Sequence, residues 1–211
     1  MAVATMRPEA PPQYPAIKPA LMGMYIFLAS EVMFFGSLFA VYFYLYGSHL
    51  TWPPPPPGQH AEFYVNWWPI PAINTVILLS SGVTCHFAAD AIARNSRSRF
   101  FFLQIATIVL GFMFEAGQLY EFIAAFGRGL NLTANTFASS FFILTGFHGA
   151  HVLGGLVLLS LILFRAARGQ FSREHHVAVA AVTLYWHFVD VVWLFLFGIL
   201  YLGVTFFQNN P

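Results

Sequence analysis

Charge is what this sequence has least of. Only 8% of its 211 residues are Asp, Glu, Lys or Arg, against about 25% in a soluble domain. That shortage excludes a water-soluble globular chain, which needs charge to solvate its surface. Cys85 stands alone, and one cysteine excludes a disulfide framework and any Cys-x-x-Cys metal site. No basic cluster is large enough for a nucleic-acid footprint, and the net charge of +1 points to no acidic partner. The first 18 residues are proline-rich and lack an apolar core, so they read as a tail and not as a signal peptide.

What is present is apolar: 58% of the residues are hydrophobic and 18% aromatic. Five runs are long enough to cross a hydrocarbon core of about 30 Å, which takes about 20 residues each. They are Pro19 to Gly47, Pro69 to Ala93, Phe100 to Gly127, Phe137 to Phe164 and Val177 to Phe207. The fold class they predict is all-α and integral to the membrane. A cytoplasmic tail, residues 1–18, precedes one five-helix membrane domain, residues 19–211, and no room is left for a soluble domain.

Basic residues set the expected orientation. Arg7 and Lys18 in the tail, Arg94, Arg97 and Arg99 in the second loop, and Arg165, Arg168 and Arg173 in the fourth all fall on one side. Only Arg128 falls on the other. The positive-inside rule then puts the N-terminus in the cytoplasm and the C-terminus outside. The first outer loop contains the run Pro53 to Pro57, a polyproline II strut. Trp52, Trp67 and Trp68 flank it as expected interfacial anchors. Short inner loops predict that consecutive helices are antiparallel neighbours. On the fourth helix, Gly146, Ala150 and Gly154 recur every four residues, the pattern of a close-packing stripe. His148 and His151 share a second, polar face.

The nonapeptide Tyr185-Trp186-His187-Phe188-Val189-Asp190-Val191-Val192-Trp193 places two ionisable groups in an otherwise apolar span. At roughly 2.5 to 3.5 kcal/mol for a charge at the bilayer centre, such groups need partners or a task. Counting inward at about 1.5 Å per residue puts Glu31, Glu115, His148, His151, His187 and Asp190 near mid-membrane. Lys and Arg are missing at that depth, so each carboxyl must be protonated or paired with a histidine or another donor. His187 and Asp190, three apart, can meet on one helix face.

Three readings of this set stay open: hydrogen bonds that lock the bundle, a metal site, and a proton or lipid role. The metal reading is weakened because carboxylate-bridged helical bundles use two Glu-x-x-His pairs, which this chain lacks. No residue is therefore assigned as catalytic or as a metal ligand. His86 and Asp90, one turn apart near the inner end of the second helix, are a candidate proton-collecting pair. His175-His176 reads as interface chemistry, and Glu121, at the outer end of the third helix, as solvated.

Taken in order, these motifs resemble subunit III of the haem–copper cytochrome c oxidases, in its five-helix bacterial form. The resemblance rests on Ser30-Glu31-Val32-Met33-Phe34-Phe35, Asn74-Thr75 with Ser81-Gly82-Val83-Thr84, and Glu115 through Tyr120-Glu121. Thr145 through Val152, Arg165 with Phe171 and His175-His176, and the nonapeptide complete it. It runs from about Ala20 to Tyr201. The resemblance implies a subunit of a bacterial cytoplasmic-membrane oxidase that has no redox centre and binds no cofactor of its own. Haem and copper are expected in partner subunits I and II, with subunit I the main contact and a small subunit IV a further candidate.

It also implies structural phospholipid and support for proton uptake. By position, Glu31 matches a buried, carbodiimide-reactive carboxyl, and His148, His151 and Arg165 fall on motifs near a lipid-binding surface. From the residues themselves, Glu115 is read as a second buried, proton-related carboxyl, and His148, His151, His187 and Asp190 as structural polar pairs. Many members have two further N-terminal helices across a lipid-filled cleft; here the cleft is expected either to open to bulk lipid or to be walled by another subunit. Competing readings are subunit III of a quinol oxidase, an accessory protein of nitric oxide reductases, an independent intramembrane metalloenzyme, and a proton-coupled transporter. The last fits poorly, since no Gly/Pro-broken helix pairs recur in matching halves.

Overall fold

A computed structural model describes residues 19–50, 52–54, 68–171 and 176–205. The expected tail, Pro55 to Pro57, Trp67, Arg173 and His175 lie outside the described residues. Five helices follow in chain order: α1 (Pro19–Gly47), α2 (Ile70–Ala93), α3 (Arg97–Gly127), α4 (Thr136–Ala167) and α5 (Val177–Leu196). All five are long and apolar enough to span a membrane, and no strand occurs among the described residues.

The ends follow from local chemistry. α3 begins three residues before the apolar run, at Arg97, because the polar Arg97-Ser98-Arg99 turn continues the helix beyond the hydrocarbon. Asn95 turns the chain between α2 and α3 at φ 59°, a left-handed conformation that asparagine tolerates. At the start of α4, the Asn135 side chain accepts from Ala138 N–H at 2.7 Å, an N-cap. Gly169, at φ 74°, ends the same helix. The last apolar run reads as one span from Val177 to Phe207. It instead changes at Phe197–Gly203 to a π-helical turn, bonded i to i+5, which holds Gly198 and Gly203.

α5 is the central helix: α1, α2 and α4 all pack on it, while α3 closes the ring between α2 and α4. α2 and α3 pair most intimately. The expectation that consecutive helices are neighbours fails for the first pair. α1 packs on α5 and α4, not along α2, and the long connection between Gly47 and Ile70 leaves it free to do so. Its buried residues Leu28, Phe35 and Tyr42 recur every seven positions along one seam, flanked by the partly buried Met24, Phe34, Leu38 and Phe39, and the opposite face is outward.

The expected small-residue stripe on α4 is also corrected. The space beside Gly146 is open, and Ala150 and Gly154 are exposed. Close approach occurs instead at Gly155, where an added Cβ would lie 2.7 Å from the Trp186 ring. Gly111 on α3 faces the same indole, 2.9 Å from where its Cβ would be. The reason is size. A fully buried tryptophan between three helices needs two neighbours without side chains, and that fixes the rotation of α4.

Gly155→Val is expected to destabilise the solubilised protein by about 1–3 kcal/mol through overpacking against Trp186. Gly146→Ala should be near neutral, and thermal unfolding of the two variants side by side checks the difference.

Candidate functional site

Hydrogen bonds between helices are worth having inside a bilayer because lipid tails offer no alternative partner. α5 makes two from indoles. Trp186 Nε1–H donates to Ser81 Oγ at 3.0 Å and Trp193 Nε1–H to Thr75 Oγ1 at 2.9 Å, both buried residues of α2. Each hydroxyl gives its own proton to its helix, Ser81 to Leu78 O and Thr75 to Pro71 O, which leaves lone pairs for the indoles. Sequence reasoning gave Trp186 and Trp193 no bonding role and missed this ladder. Seven-residue spacing on α5 against six on α2 was the available signal.

Asp190 lies on the same seam. Its Oδ2 is 3.6 Å from His187 Nδ1, longer than a hydrogen bond but close enough for electrostatic pairing. The carboxyl fits because Gly82 of α2 has no side chain: a Cβ there would collide with Asp190 Oδ2. Asp190 Oδ1 has no hydrogen-bond partner among the described residues. His187 is 38% exposed, and its ring lies 6.2 Å from that of His86. No hydrogen bond or ion pair joins His86 to Asp90 among the described residues. Asp90 is held by Arg94 Nε at 2.9 Å, one turn further on, while His86 turns toward α5.

The two α4 histidines part company. His151 meets Glu31 of α1, with Nε2 3.0 Å from Oε2, and its Nδ1 lies 2.7 Å from the Phe147 carbonyl oxygen. A carbonyl only accepts, so Nδ1 carries a proton. The Nε2–Oε2 bond then holds exactly one further proton, on the acid or on the imidazole, and the pair is net neutral either way. Phe34 and Phe35 border the ring, and Tyr185 donates to the His151 carbonyl at 3.0 Å. This contact ties α1 to α4, and the tyrosine ties α4 to α5.

His148 is fully buried between Phe114 and Trp193, with neither ring nitrogen hydrogen-bonded among the described residues. Glu115 reaches over the backbone of Gly149, where an added Cβ would be 3.1 Å from Oε1. Glu121, read as solvated, is half-buried and accepts from Tyr201 at 2.9 Å. Arg165 closes the end of α4, donating to Gln170 Oε1 at 2.8 Å and lying over Phe171. Trp52, expected as an interfacial anchor, is half-buried in a cage of Tyr42, Tyr46, His49 and Phe137 and donates to Tyr42 Oη at 3.0 Å.

Among the described residues, no three His, Cys, Asp or Glu side chains gather as a metal-binding cluster. Most of the bonded intramembrane polar side chains join two helices, as Glu31 with His151, Trp186 with Ser81 and Trp193 with Thr75 do, while His148 and Gln118 are buried without a hydrogen-bond partner among the described residues. Fold and site together define a five-helix integral membrane protein whose buried polarity joins helices.

The comparisons with known proteins give the class a family. The family model for Cytochrome c oxidase subunit III matches residues 14–204. The chain is 38% identical to Cytochrome c oxidase subunit 3 of Thermostichus vulcanus, over 88% of this chain and 88% of that protein. It is 39% identical to the subunit of Synechocystis sp., over 86% and 75%, and 40% identical to that of Aedes aegypti, over 85% and 67%. The chain belongs to the cytochrome c oxidase subunit III family.

Trp193→Phe removes the indole donor and leaves a cavity at a fully buried site, so it is expected to cost more than the average of about 0.6 kcal/mol for an interhelical hydrogen bond in a membrane protein. Unfolding in mixed detergent and denaturant reads it. Glu31→Gln keeps a donor for His151 Nε2 and should hold the α1–α4 contact. Glu31→Leu leaves that nitrogen unpaired and should cost about 1–3 kcal/mol. Equal stability of the two variants would show that the pair does not hold α1.

Proposed function

We propose that this chain is the non-redox subunit III of a proton-translocating, respiratory haem–copper cytochrome c oxidase. In this reading it stabilises the catalytic subunit, holds structural phospholipid and sustains proton uptake while oxygen is reduced to water. The observation that carries the reading is the pairwise use of the buried polar residues. Glu31 with His151, Trp186 with Ser81 and Trp193 with Thr75 are each engaged in joining helices. Groups so engaged suit a rigid scaffold beside a reaction centre.

Haem and copper belong to partner subunits I and II in this proposal, and this chain binds neither. Subunit I is the main contact, with a small subunit IV as a further candidate. The N-terminus is cytoplasmic and the membrane is the bacterial inner membrane, oriented by the basic residues at one end of the bundle, Arg94, Arg97, Arg99, Arg165 and Arg168. The names of the similar proteins favour cytochrome c over quinol as the electron donor.

Lipid contact is assigned to the outward faces of α1, which is buried along one seam only. His151 and Arg165 are assigned to it less directly, because both already have partners within the chain.

The test is to purify the oxidase with and without this subunit and follow oxygen consumption driven by reduced cytochrome c. The depleted complex should start at a normal rate and lose activity, or proton uptake, over successive turnovers. Full activity sustained over many turnovers would remove the supporting role, and a response to quinol but not to cytochrome c would replace the donor.

A further inference from the structure

Between α1 and α2 the surface of α5 is uncovered. At 100° per residue, Phe188 and Phe195 point to the α1 side, where their rings meet Phe35 and Phe39. Thr183, Trp186, Asp190 and Trp193 point to the α2 side, toward Cys85, Ser81, Gly82 and Thr75. His187, Val191 and Leu194 occupy the sector of about 60° between these two sets. All three are outward: Val191 is 49% and Leu194 44% exposed, with the His187 side chain at 38%. α1 and α2 are therefore the walls of a shallow groove, and α5 is its floor.

The groove is not uniformly apolar. His187 on the floor and His86 on the α2 wall bring two imidazoles side by side, their ring centres 6.2 Å apart. His187 lies about 15 Å along α5 from the end nearest the basic loops, and His86 about 10 Å along α2 from the same end. Both are thus within a hydrocarbon core of about 30 Å. His187 has Asp190 beside its Nδ1 at 3.6 Å, but its Nε2 and both nitrogens of the exposed His86 have no water and no headgroup to bond at that depth, and lipid tails offer neither donor nor acceptor.

We propose that this groove is the docking surface for a transmembrane helix of another oxidase subunit. That helix presents a hydroxyl or carboxamide side chain to His86 and His187. The inference rests on the subunit reading above. A hydroxyl or amide is the matching chemistry because it can donate or accept, whichever tautomer each imidazole takes. Lipid is the weaker occupant, since a phospholipid puts its hydrogen-bonding groups at the interface and not at this depth. The apolar floor of Val191 and Leu194 supplies packing on either side of the polar contact, as expected where a helix lies along a helix.

Photocrosslinking tests the proposal in the intact complex. A benzophenone amino acid placed at Val191 should, on irradiation of the assembled oxidase, join this chain covalently to a second oxidase subunit. The same probe at Val109, on the outward face of α3 and away from the groove, is the comparison position. Adducts from position 191 with lipid alone, or with a second copy of this chain, would overturn the proposal.

The histidines have their own readout. His86 is exposed and its ring meets Phe87 and His187, so its replacement should leave the subunit folded. His86→Leu is expected to lower the fraction of subunit retained after a detergent wash several-fold. His86→Gln, which still bonds, should restore it. Retention equal in both variants and the parent chain would refute a polar contact here. A chain that copurifies with the oxidase yet gives only lipid adducts fails this proposal and leaves the subunit reading intact. A chain that does not copurify with oxidase subunits removes both.

Discussion

Lipid cannot bond a polar atom in the middle of this bundle, so the hydrogen bonds made there run within and between helices of the protein. The contact between α2 and α5 shows how that constraint shapes the fold. Two indoles, two hydroxyls and one glycine set the helices' rotation and spacing together: Trp186 to Ser81, Trp193 to Thr75, and Asp190 over Gly82. Once α5 is turned so that both indoles face α2, Gly155 and Gly111 have to receive the remaining bulk of Trp186. Tyr185 is then directed at the backbone of His151. The placement of α4, and through His151 of α1, follows from that one seam.

The spans were legible in the sequence because hydrocarbon thickness fixes their length whatever they pack against. What could not be read was rotation. His148 and His151 are three residues apart, yet one is sealed between Phe114 and Trp193 while the other meets Glu31. Hydropathy is blind to that choice when every face of a helix is apolar. The decisive information lay in which glycine faced an indole, a property of two helices at once.

The same limit explains the other differences. Gly146, Ala150 and Gly154 had the right spacing for close packing and the wrong azimuth. Asp90 lay one turn from both His86 and Arg94, and the strongly charged neighbour took it. The π-helical turn at Phe197–Gly203 left no clear mark on hydropathy. It nevertheless keeps Tyr201 inward, 6.1 Å from the Trp193 ring and bonded to Glu121, where regular winding would carry it away from that face.

α1 is the first of the five helices to be synthesised, yet the helices it packs on, α4 and α5, are the last. Glu31 precedes His151 by 120 positions along the chain. Throughout the translation of α2 and α3, then, the first helix stays in the membrane with its acid unmatched by the partner it will finally have. Biogenesis of this subunit must include an interval in which that helix is held by lipid, by the insertion machinery or by a neighbouring subunit, and its docking is a late event.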